Sequence, residues 1–194
     1  MKRLTQWVVA SCVAWAGLCA TTTAAPVTYH IDPVHSRIAF YVNHLGFSNS
    51  VGEFHIPDTA FAFDNADWAH SSLNIKIPVN GLEMGDATWN EHILSDNWLD
   101  AKAFPTMSFV ATKVDGGNGK GTLHGDLTIK GVTRPVSLAL TLNGAGEHMM
   151  KRVQAVGFTA TTTIKRSDFG IKTYLGPVGD DITIRIEVEA LADK

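Results

Sequence analysis

The chain has 194 residues, a formal net charge of −3 and 45% hydrophobic residues. A chain of this length can form one domain with a sizeable core, and its mildly acidic charge makes it poorly suited to nucleic acid or to an anionic membrane surface. Its two cysteines, Cys12 and Cys19, lie near the N-terminus. A mature chain without them has no disulfide, no zinc–thiolate site and no cysteine nucleophile.

Residues 1–24 have the layout of a secretory signal peptide. The basic pair Lys2-Arg3 precedes an apolar stretch over residues 7–20, and small residues follow. We predict cleavage after Ala24, which leaves residues 25–194 as a single mature domain with 14 basic and 19 acidic side chains. The periplasm is the predicted compartment, with secretion into the medium as the weaker alternative.

Downstream, apolar residues occupy every second position in one short segment after another. In the last of these segments Ile182, Ile184, Ile186 and Val188 alternate with polar residues. A period of two predicts strands with one dry and one wet face. Its recurrence in one domain predicts an antiparallel sheet closed around an apolar interior. The predicted strands are 28–32, 36–44, 51–64, 71–80, 106–114, 120–130, 133–143, 153–165 and 181–191.

One segment, residues 86–103, breaks this rhythm. Trp89, Ile93 and Trp98 follow one another at spacings closer to 3.6 than to 2, which favours helix. Asp86 is a plausible N-cap at its start. We predict one or two short helices here, inserted between two strands.

Turn chemistry separates the predicted strands. Asp115–Gly119 predicts a flexible hairpin loop, and Lys130-Gly131 predicts a tight turn. Asn143–Gly146, with two glycines, predicts a further loop between strands.

Several short motifs occur in a fixed order along the mature chain. They are Tyr29–Asp32 with His35-Ser36, His44–Gly46, Val51–Phe54, His92–Ser95 with Trp98–Asp100, Phe104–Phe109, Gly125–Val136, Asp168–Ile171 and Leu175–Val178. In order and spacing this set resembles the YceI-like family of lipocalin-like, polyisoprenoid-binding periplasmic proteins. The resemblance implies an all-β fold, an extended eight-stranded antiparallel barrel whose pore holds a long isoprenoid or a similar amphiphile.

The interior of an eight-stranded barrel is either filled by side chains or occupied by one slender ligand. Burial of a ligand's apolar chain favours binding by about 0.8 kcal/mol per CH₂, so a carrier needs no catalytic motif. We therefore predict a carrier for a polyisoprenoid or isoprenoid quinone, and not an enzyme. The predicted wall residues are Ile38, Phe40, Val42, Phe54, Leu73, Ile75, Ile77, Met107, Phe109, Leu127, Ile129, Phe158, Ile164 and Ile184.

Trp89, Ile93 and Trp98 are predicted to cap one end of the barrel, with plain packing as the alternative. Arg166 is a candidate headgroup contact, because a guanidinium at a pocket mouth can pair with a phosphate or a quinone carbonyl. The alternative for Arg166 is a solvated ion pair at a strand end. The predicted partner is a lipid-like small molecule, bound without a cofactor; transient membrane contact and the oligomeric state are left open.

Two further functions stay open. One is an enzyme that acts on a lipid, with His35, His44 or His92 as base. The other is a stress-response module that binds another protein, which an exposed contiguous apolar patch would favour. No metal site is predicted, because no two of the eight histidines stand at H-x-H or H-x-x-x-H spacing; a site assembled from distant strands is the alternative.

Overall fold

The computed structural model describes residues 25–193, and the fold is built almost entirely from β-strands. The strands are β1 (Val27–Ile31), β2 (Arg37–His44), β3 (Ser48–His55), β4 (Ala60–Phe63), β5 (Asn74–Pro78), β6 (Leu82–Glu83), β7 (Thr106–Gly117), β8 (Lys120–Ile129), β9 (Val132–Glu147), β10 (Gln154–Lys165) and β11 (Val178–Ala192). The predicted all-β class is confirmed.

The segment predicted to be helical contains one α-helix, α1 (Ala87–Leu94). Its N-cap is Asp86, as predicted, whose side chain accepts a hydrogen bond of 3.0 Å from the backbone N–H of Trp89. This bond satisfies one of the N–H groups that a helix start leaves without a partner. Short 3₁₀ turns occur at Trp68–His70, Val79–Gly81 and Arg166–Phe169.

All eleven strands belong to one antiparallel sheet. Its main path runs β5-β7-β8-β9-β10-β11-β2-β3-β6, and β1 joins it by pairing with β11 and with β4. β5 and β6 stand at opposite ends of this path, yet they follow one another in the chain across the 3₁₀ turn Val79–Gly81. Because three residues link its two edges, the sheet has to curl back on itself.

The predicted eight-stranded barrel is therefore replaced by an eleven-stranded curled sheet. The predicted strand 51–64 divides into β3 and β4 because Pro57 interrupts it and a proline has no N–H to give to a ladder. The loop predicted at 143–146 is instead part of β9, paired with β10 across a register shift at Gly157/Phe158. Strand glycines often mark such bulges.

Tight turns connect three of the hairpins, and each contains two residues at positive φ. Asn118-Gly119 has φ values of +54° and +82°, and Lys130-Gly131 has +50° and +74°. Leu45-Gly46 has +57° and +76°, and this turn closes with a hydrogen bond of 3.0 Å from the N–H of Phe47 to the carbonyl of His44. Positive φ at both central residues is what type I′ turns require, and their twist matches that of the flanking strands.

The two ends of the curled sheet differ in what covers them. One end, which we call the mouth, is formed by the Leu45–Phe47 turn, the Lys130-Gly131 turn, α1 and the segment from Arg166 to Val178. The opposite end, the far end, is filled by an apolar cluster around Trp68 that includes Tyr29, Phe63, Val114, Val156, Phe158 and Ala190.

The structure describes no helix that is long and apolar enough to cross a bilayer. The predicted signal peptide, residues 1–24, lies outside the described residues, so its cleavage after Ala24 stays a prediction.

Candidate functional site

The inward faces of the strands enclose a cavity of about 600 Å³. Every residue predicted for its wall lines it, although contact with a ligand stays a prediction for each of them. They are Ile38, Phe40 and Val42 of β2, Phe54 of β3, Leu73 just before β5, Ile75 and Ile77 of β5, Met107 and Phe109 of β7, Leu127 and Ile129 of β8, Phe158 and Ile164 of β10, and Ile184 of β11.

The cavity is far larger than the packing gaps of an ordinary core. Protein interiors are close-packed, with few voids larger than a water molecule. At about 24 cal/mol per Å³, a sealed empty cavity of this size would cost about 14 kcal/mol. That is as much as the whole folding stability of a typical domain, roughly 5–15 kcal/mol. A space of this kind is therefore typical of a container for a ligand.

The cavity is elongated along the strands. On β10 the inward side chains of Phe158, Ala160, Thr162 and Ile164 all line it, and Arg166 lines it beyond the strand end. At a rise of about 3.3 Å per residue, the stretch from Phe158 to Ile164 covers roughly 20 Å. Such a shape accepts an extended chain better than a compact ligand.

Two glycines on the inner face leave room for aromatic rings. A Cβ atom at Gly52 would overlap the ring of Phe40 and the sulfur of Met84, and one at Gly125 would overlap the ring of Phe109. Phe40 and Phe109 therefore lie close against the backbone of the neighbouring strand. Larger residues at the two glycines would push these rings into the space that the cavity now occupies.

Aromatic side chains form the floor of the cavity at the far end. Phe63 and Phe158 both line it and meet edge to face, with ring centroids 5.0 Å apart. Trp68, which is 1% exposed, lies behind them at 5.6 Å from Phe63. A Cβ atom at Gly116 or Gly121 would overlap the Trp68 indole, so these glycines permit its burial.

The mouth is lined by side chains of a different kind. His44 and Leu45 come from the β2–β3 turn, Trp89 and His92 come from α1, and Tyr174 comes from the segment before β11. Leu45 is tied to that segment because its N–H donates a hydrogen bond of 2.9 Å to the carbonyl of Pro177. The two loops therefore lie side by side where the cavity opens.

All three predicted cap residues line the cavity at the mouth. The ring of Trp89 lies 6.3 Å from that of His44. The indole N–H of Trp98 donates a hydrogen bond of 3.1 Å to Nε2 of His92, which assigns the His92 proton to Nδ1 when the ring is neutral. Ile93 of α1 is half-buried and packs against the apolar cluster that contains Trp98. The cap role remains a prediction.

Arg166 lines the cavity, but its surroundings differ from those predicted. It is 4% exposed, and its guanidinium donates four hydrogen bonds to backbone carbonyls. Nε binds Gly179 at 2.8 Å, Nη1 binds Ile171 at 3.0 Å and Thr173 at 2.8 Å, and Nη2 binds Val178 at 2.9 Å. The solvated ion pair is therefore wrong as an alternative.

These bonds make Arg166 the anchor of the segment that precedes β11. Its guanidinium carbon also lies 5.3 Å from the centre of the Trp98 ring, within the range of a cation–π contact. Burial lowers the pKa of Arg166, and the nearby Asp180 carboxylate opposes that change. Four of its five N–H groups are occupied, so a headgroup contact through the remaining one stays a prediction.

Several cavity residues were missed by the sequence prediction. Val136, Leu138 and Leu140 of β9 line the wall, as do Ile182, Ile186 and Val188 of β11. The same alternation of apolar residues could have identified them, because in each strand they occupy every second position, on the inward side. The polar members Ser50, Ser72, Ser108 and Thr162 carry no such signal, since their inward position depends on register.

The three histidines considered as catalytic bases are separated in the structure. His44 and His92 line the cavity, whereas His35 lies at the far end, 3.0 Å from Asp32. Among the ion pairs of residues 25–193, neither cavity histidine has a carboxylate partner within 4.0 Å. In the described chain no histidine considered as a base thus combines a cavity position with a close carboxylate.

One group of possible metal ligands comes together at the far end. Asp32, His35 and Glu189 offer atoms within 4.8 Å of one another, from two segments that are distant in sequence. Nε2 of His148 lies 3.3 Å from Glu189, while its Nδ1 faces the N–H groups of Met150 and Lys151. His148 therefore donates to Glu189 and is not free to bind a metal through Nε2. The predicted absence of a metal site stays a prediction.

A curled antiparallel sheet around a long apolar space, with a short helix at one end, defines an all-β protein with an internal cavity. The profile of the YceI-like domain matches residues 29–190, and the chain belongs to the YceI-like family. A UPF0312 protein of Shewanella denitrificans is 35% identical over 179 residues, which cover 91% of this chain and 93% of that protein. A UPF0312 protein of Pectobacterium atrosepticum is 33% identical over 193 residues, which cover 100% and 98%.

Solved structures share the fold. BcnA of Burkholderia cenocepacia aligns with a TM-score of 0.73 at 25% identity, covering 82% of this chain and 98% of that one. A Campylobacter jejuni YCEI protein aligns with a TM-score of 0.69 at 30% identity, covering 78% and 90%. A polyisoprenoid binding domain from Saccharophagus degradans aligns with a TM-score of 0.62 at 12% identity, covering 86% and 99%. At that identity the last likeness concerns the fold alone.

Proposed function

We propose that this YceI-like protein is a periplasmic carrier that holds a long apolar amphiphile, such as a polyisoprenoid or an isoprenoid quinone, in its cavity. The observation that carries the proposal is the elongated space of about 600 Å³, walled mainly by aliphatic and aromatic side chains. Membership of the YceI-like family, for which the sequence resemblance implies a long isoprenoid or a similar amphiphile, supports the ligand class. The signal-like sequence of residues 1–24 supports the compartment.

The energetics of apolar burial favour such a ligand. Each buried CH₂ contributes about 0.8 kcal/mol, so a chain of several isoprene units gains on the order of 10 kcal/mol before its entropy losses. The cavity volume also lies in the range of roughly 300–1,000 Å³ that is usual for small-molecule sites. Tight binding then requires few polar contacts.

We place the ligand's polar headgroup at the mouth. His44 and His92 line the cavity there and are exposed to solvent, and Arg166 lies beneath them against Trp98. The far end offers a headgroup few polar contacts, because the floor of the cavity there consists of the Phe63 and Phe158 rings. The apolar tail is therefore expected to point toward Trp68.

The two alternative functions have less support. An enzyme acting on the lipid needs a base inside the cavity near a carboxylate, and the described ion pairs place His35, the histidine paired with Asp32, away from it. A protein-binding module needs an exposed apolar patch. Leu45, Phe47, Tyr174 and Leu175 are exposed beside the cavity opening, a position that also suits the carrier function.

The direct test is to purify the protein from its native host, extract it with organic solvent and analyse the extract by mass spectrometry. We expect a long-chain apolar compound in near-stoichiometric amount. Ala160→Phe should lower its content strongly, because Ala160 is buried and lines the middle of the cavity, and an added ring would fill that space.

Ala139→Phe is the matched control. Ala139 lies on β9, next to the residue that pairs with Ala160, but it is exposed and outside the cavity lining. It should keep its ligand. An extract without any apolar compound, or equal ligand content in the two variants, would contradict the carrier function.

A further inference from the structure

The mouth carries apolar side chains that face solvent beside the cavity opening. Leu45, Phe47, Tyr174 and Leu175 are all exposed, Phe47 at 91% and Tyr174 at 63%. We call these four residues the rim. Leu45 and Tyr174 line the cavity as well, so the apolar surface continues from the cavity out to the solvent. Singly exposed apolar residues need no explanation, whereas a contiguous group usually marks a contact site.

The backbone of two rim residues, Leu45 and Tyr174, indicates that their side chains are not there for local stability. Leu45 and Tyr174 have φ values of +57° and +50°, in the left-handed region that bulky side chains rarely adopt. The comparable two-residue turn at the far end has Asn118 at φ +54°, which is a residue that tolerates this conformation. A strained position occupied by a large apolar residue points to a function for the side chain.

The two loops that carry the rim contain almost no charge. Residues 43–50 contain no charged side chain with histidine counted as neutral, and residues 170–178 contain only Lys172. The whole chain, in contrast, is acidic. The rim therefore presents phenylalanine, tyrosine and leucine with no acidic neighbour in its own loops, which suits the headgroup region of a bilayer.

We infer that the rim docks on the surface of a lipid bilayer and seats the open cavity against it. This inference rests on the proposed carrier function, because a ligand with a long apolar chain has to pass between the cavity and a membrane. Exposure of that chain to water would cost about 0.8 kcal/mol per CH₂. With Leu45 and Tyr174 inserted, the chain can move from cavity to bilayer along apolar surface throughout.

The test is co-sedimentation of the mature protein with vesicles of phosphatidylethanolamine containing a minority of phosphatidylglycerol. The double variant Phe47→Ser/Tyr174→Ser should bind at least about tenfold more weakly, since two amphipathic or apolar side chains are lost from the contact. Wild-type binding should survive raised salt, because the net charge is repelled by anionic lipid and the attraction comes from apolar insertion.

The far end offers a matched control. Met149 and Met150 are exposed at 85% and 82% but do not line the cavity. Met149→Ser/Met150→Ser removes a similar apolar area and should bind vesicles like the wild type. Leu45→Asn adds a second check, because asparagine suits the turn. It should weaken vesicle binding while leaving thermal stability equal or higher.

Ligand content separates this inference from the carrier function. Extraction of each variant after expression in the native host shows whether the cavity is filled. A filled wild-type protein that does not bind vesicles would overturn the docking inference and leave the carrier function standing. Equal vesicle binding by the rim and methionine variants would also overturn it. So would a rim variant that loses a bound protein partner when the wild-type protein does not bind vesicles.

Discussion

The two ends of the curled sheet each centre on a buried tryptophan, but the contacts of the two indoles differ in kind. Trp68 at the far end packs against Phe63 and Phe158. Trp98 at the mouth lies beneath the Arg166 guanidinium and donates a hydrogen bond to His92. The far end is closed by ring-to-ring packing, whereas the loops around the open mouth are held in place by hydrogen bonds to backbone carbonyls.

This difference indicates how a small protein can keep a large internal space. Apolar packing has no fixed directions and fills whatever volume it is given. Hydrogen bonds have fixed geometry, so Arg166 can hold the segment before β11 in place without filling the space beside it. The far end is thus closed by a packed apolar cluster, whereas at the mouth a polar frame holds the loops beside the opening.

The strongest test of this contrast is Trp68→Ala. Removing an indole that is 1% exposed from a packed aromatic cluster should lower the free energy of unfolding by about 3–5 kcal/mol. Urea denaturation followed by circular dichroism measures it. A loss below about 1 kcal/mol would mean that the far end can collapse around the gap and that its aromatic packing contributes little to stability.

The corresponding test at the mouth is Arg166→Met. It leaves four backbone carbonyls without their donor, for an expected loss of about 2–4 kcal/mol, since water can replace part of the bonding. Hydrogen exchange should show faster exchange confined to residues 171–179. Arg166→Lys is the control: it keeps the charge but not the planar fork, so exchange there should also rise. Unchanged exchange in both variants would remove Arg166 from its anchoring role.

A smaller effect is expected from exchanging the turn residues of the two ends. Asn118→Leu places a bulky residue at φ +54° and should destabilise the protein by about 1–2 kcal/mol. Leu45→Asn makes the reverse change at φ +57° and should have the opposite sign. Thermal unfolding of each single variant, in ligand-free protein, measures the two changes in stability. A change in thermal stability in the same direction for both variants would show that backbone conformation does not determine the stability of either turn.

The smallest expected effect is a pH dependence at the far end. The hydrogen bond that the His35 ring donates to the Asp32 carboxylate raises the pKa of His35, and the same bond lowers the pKa of Asp32. The His35 contribution is complete below its unfolded pKa of about 6.5 and is lost as pH rises through the raised value; the Asp32 contribution is present above about 3.9 and is lost on acidification.

The pair should therefore stabilise most between about pH 4 and pH 6.5. Asp32→Asn keeps the acceptor for the N–H of Val34 but removes the charge. The difference in unfolding free energy between wild type and variant should peak in that window and shrink toward pH 8. A difference that does not vary with pH would contradict the assignment.

The alternation of apolar residues was enough to predict the all-β class and the cavity wall, because a period of two fixes which side chains share a face. The helix at Ala87–Leu94 was also predictable, through Asp86 and the aromatic spacing. Strand count was predicted less well. The break at Pro57 could have been predicted from the missing N–H of proline, but the two-residue strand β6 depends on how the sheet curls. The continuation of β9 through Gly144 and Gly146 depends on its partner β10.

The environment of Arg166 could not be predicted from the sequence either. Its partners are backbone carbonyls of Ile171, Thr173, Val178 and Gly179, and every residue type offers a carbonyl. A different reason prevented prediction of the group formed by Asp32, His35 and Glu189. Glu189 lies more than 150 positions from the other two residues and meets them only through strand pairing.

β11, the last strand, has an unusual share of the pairing. It bonds to β10, to β2 and to β1, and the buried Ser36 hydroxyl ties its Glu189 to a site 153 residues earlier in the chain. Until Val178–Ala192 has been synthesised, β2 and β10 each lack a neighbour on that side. Such long-range closure is intrinsically slow. The enclosure of the cavity is thus completed only when β11 has paired with its neighbours, and we expect a ligand to be retained only after that step.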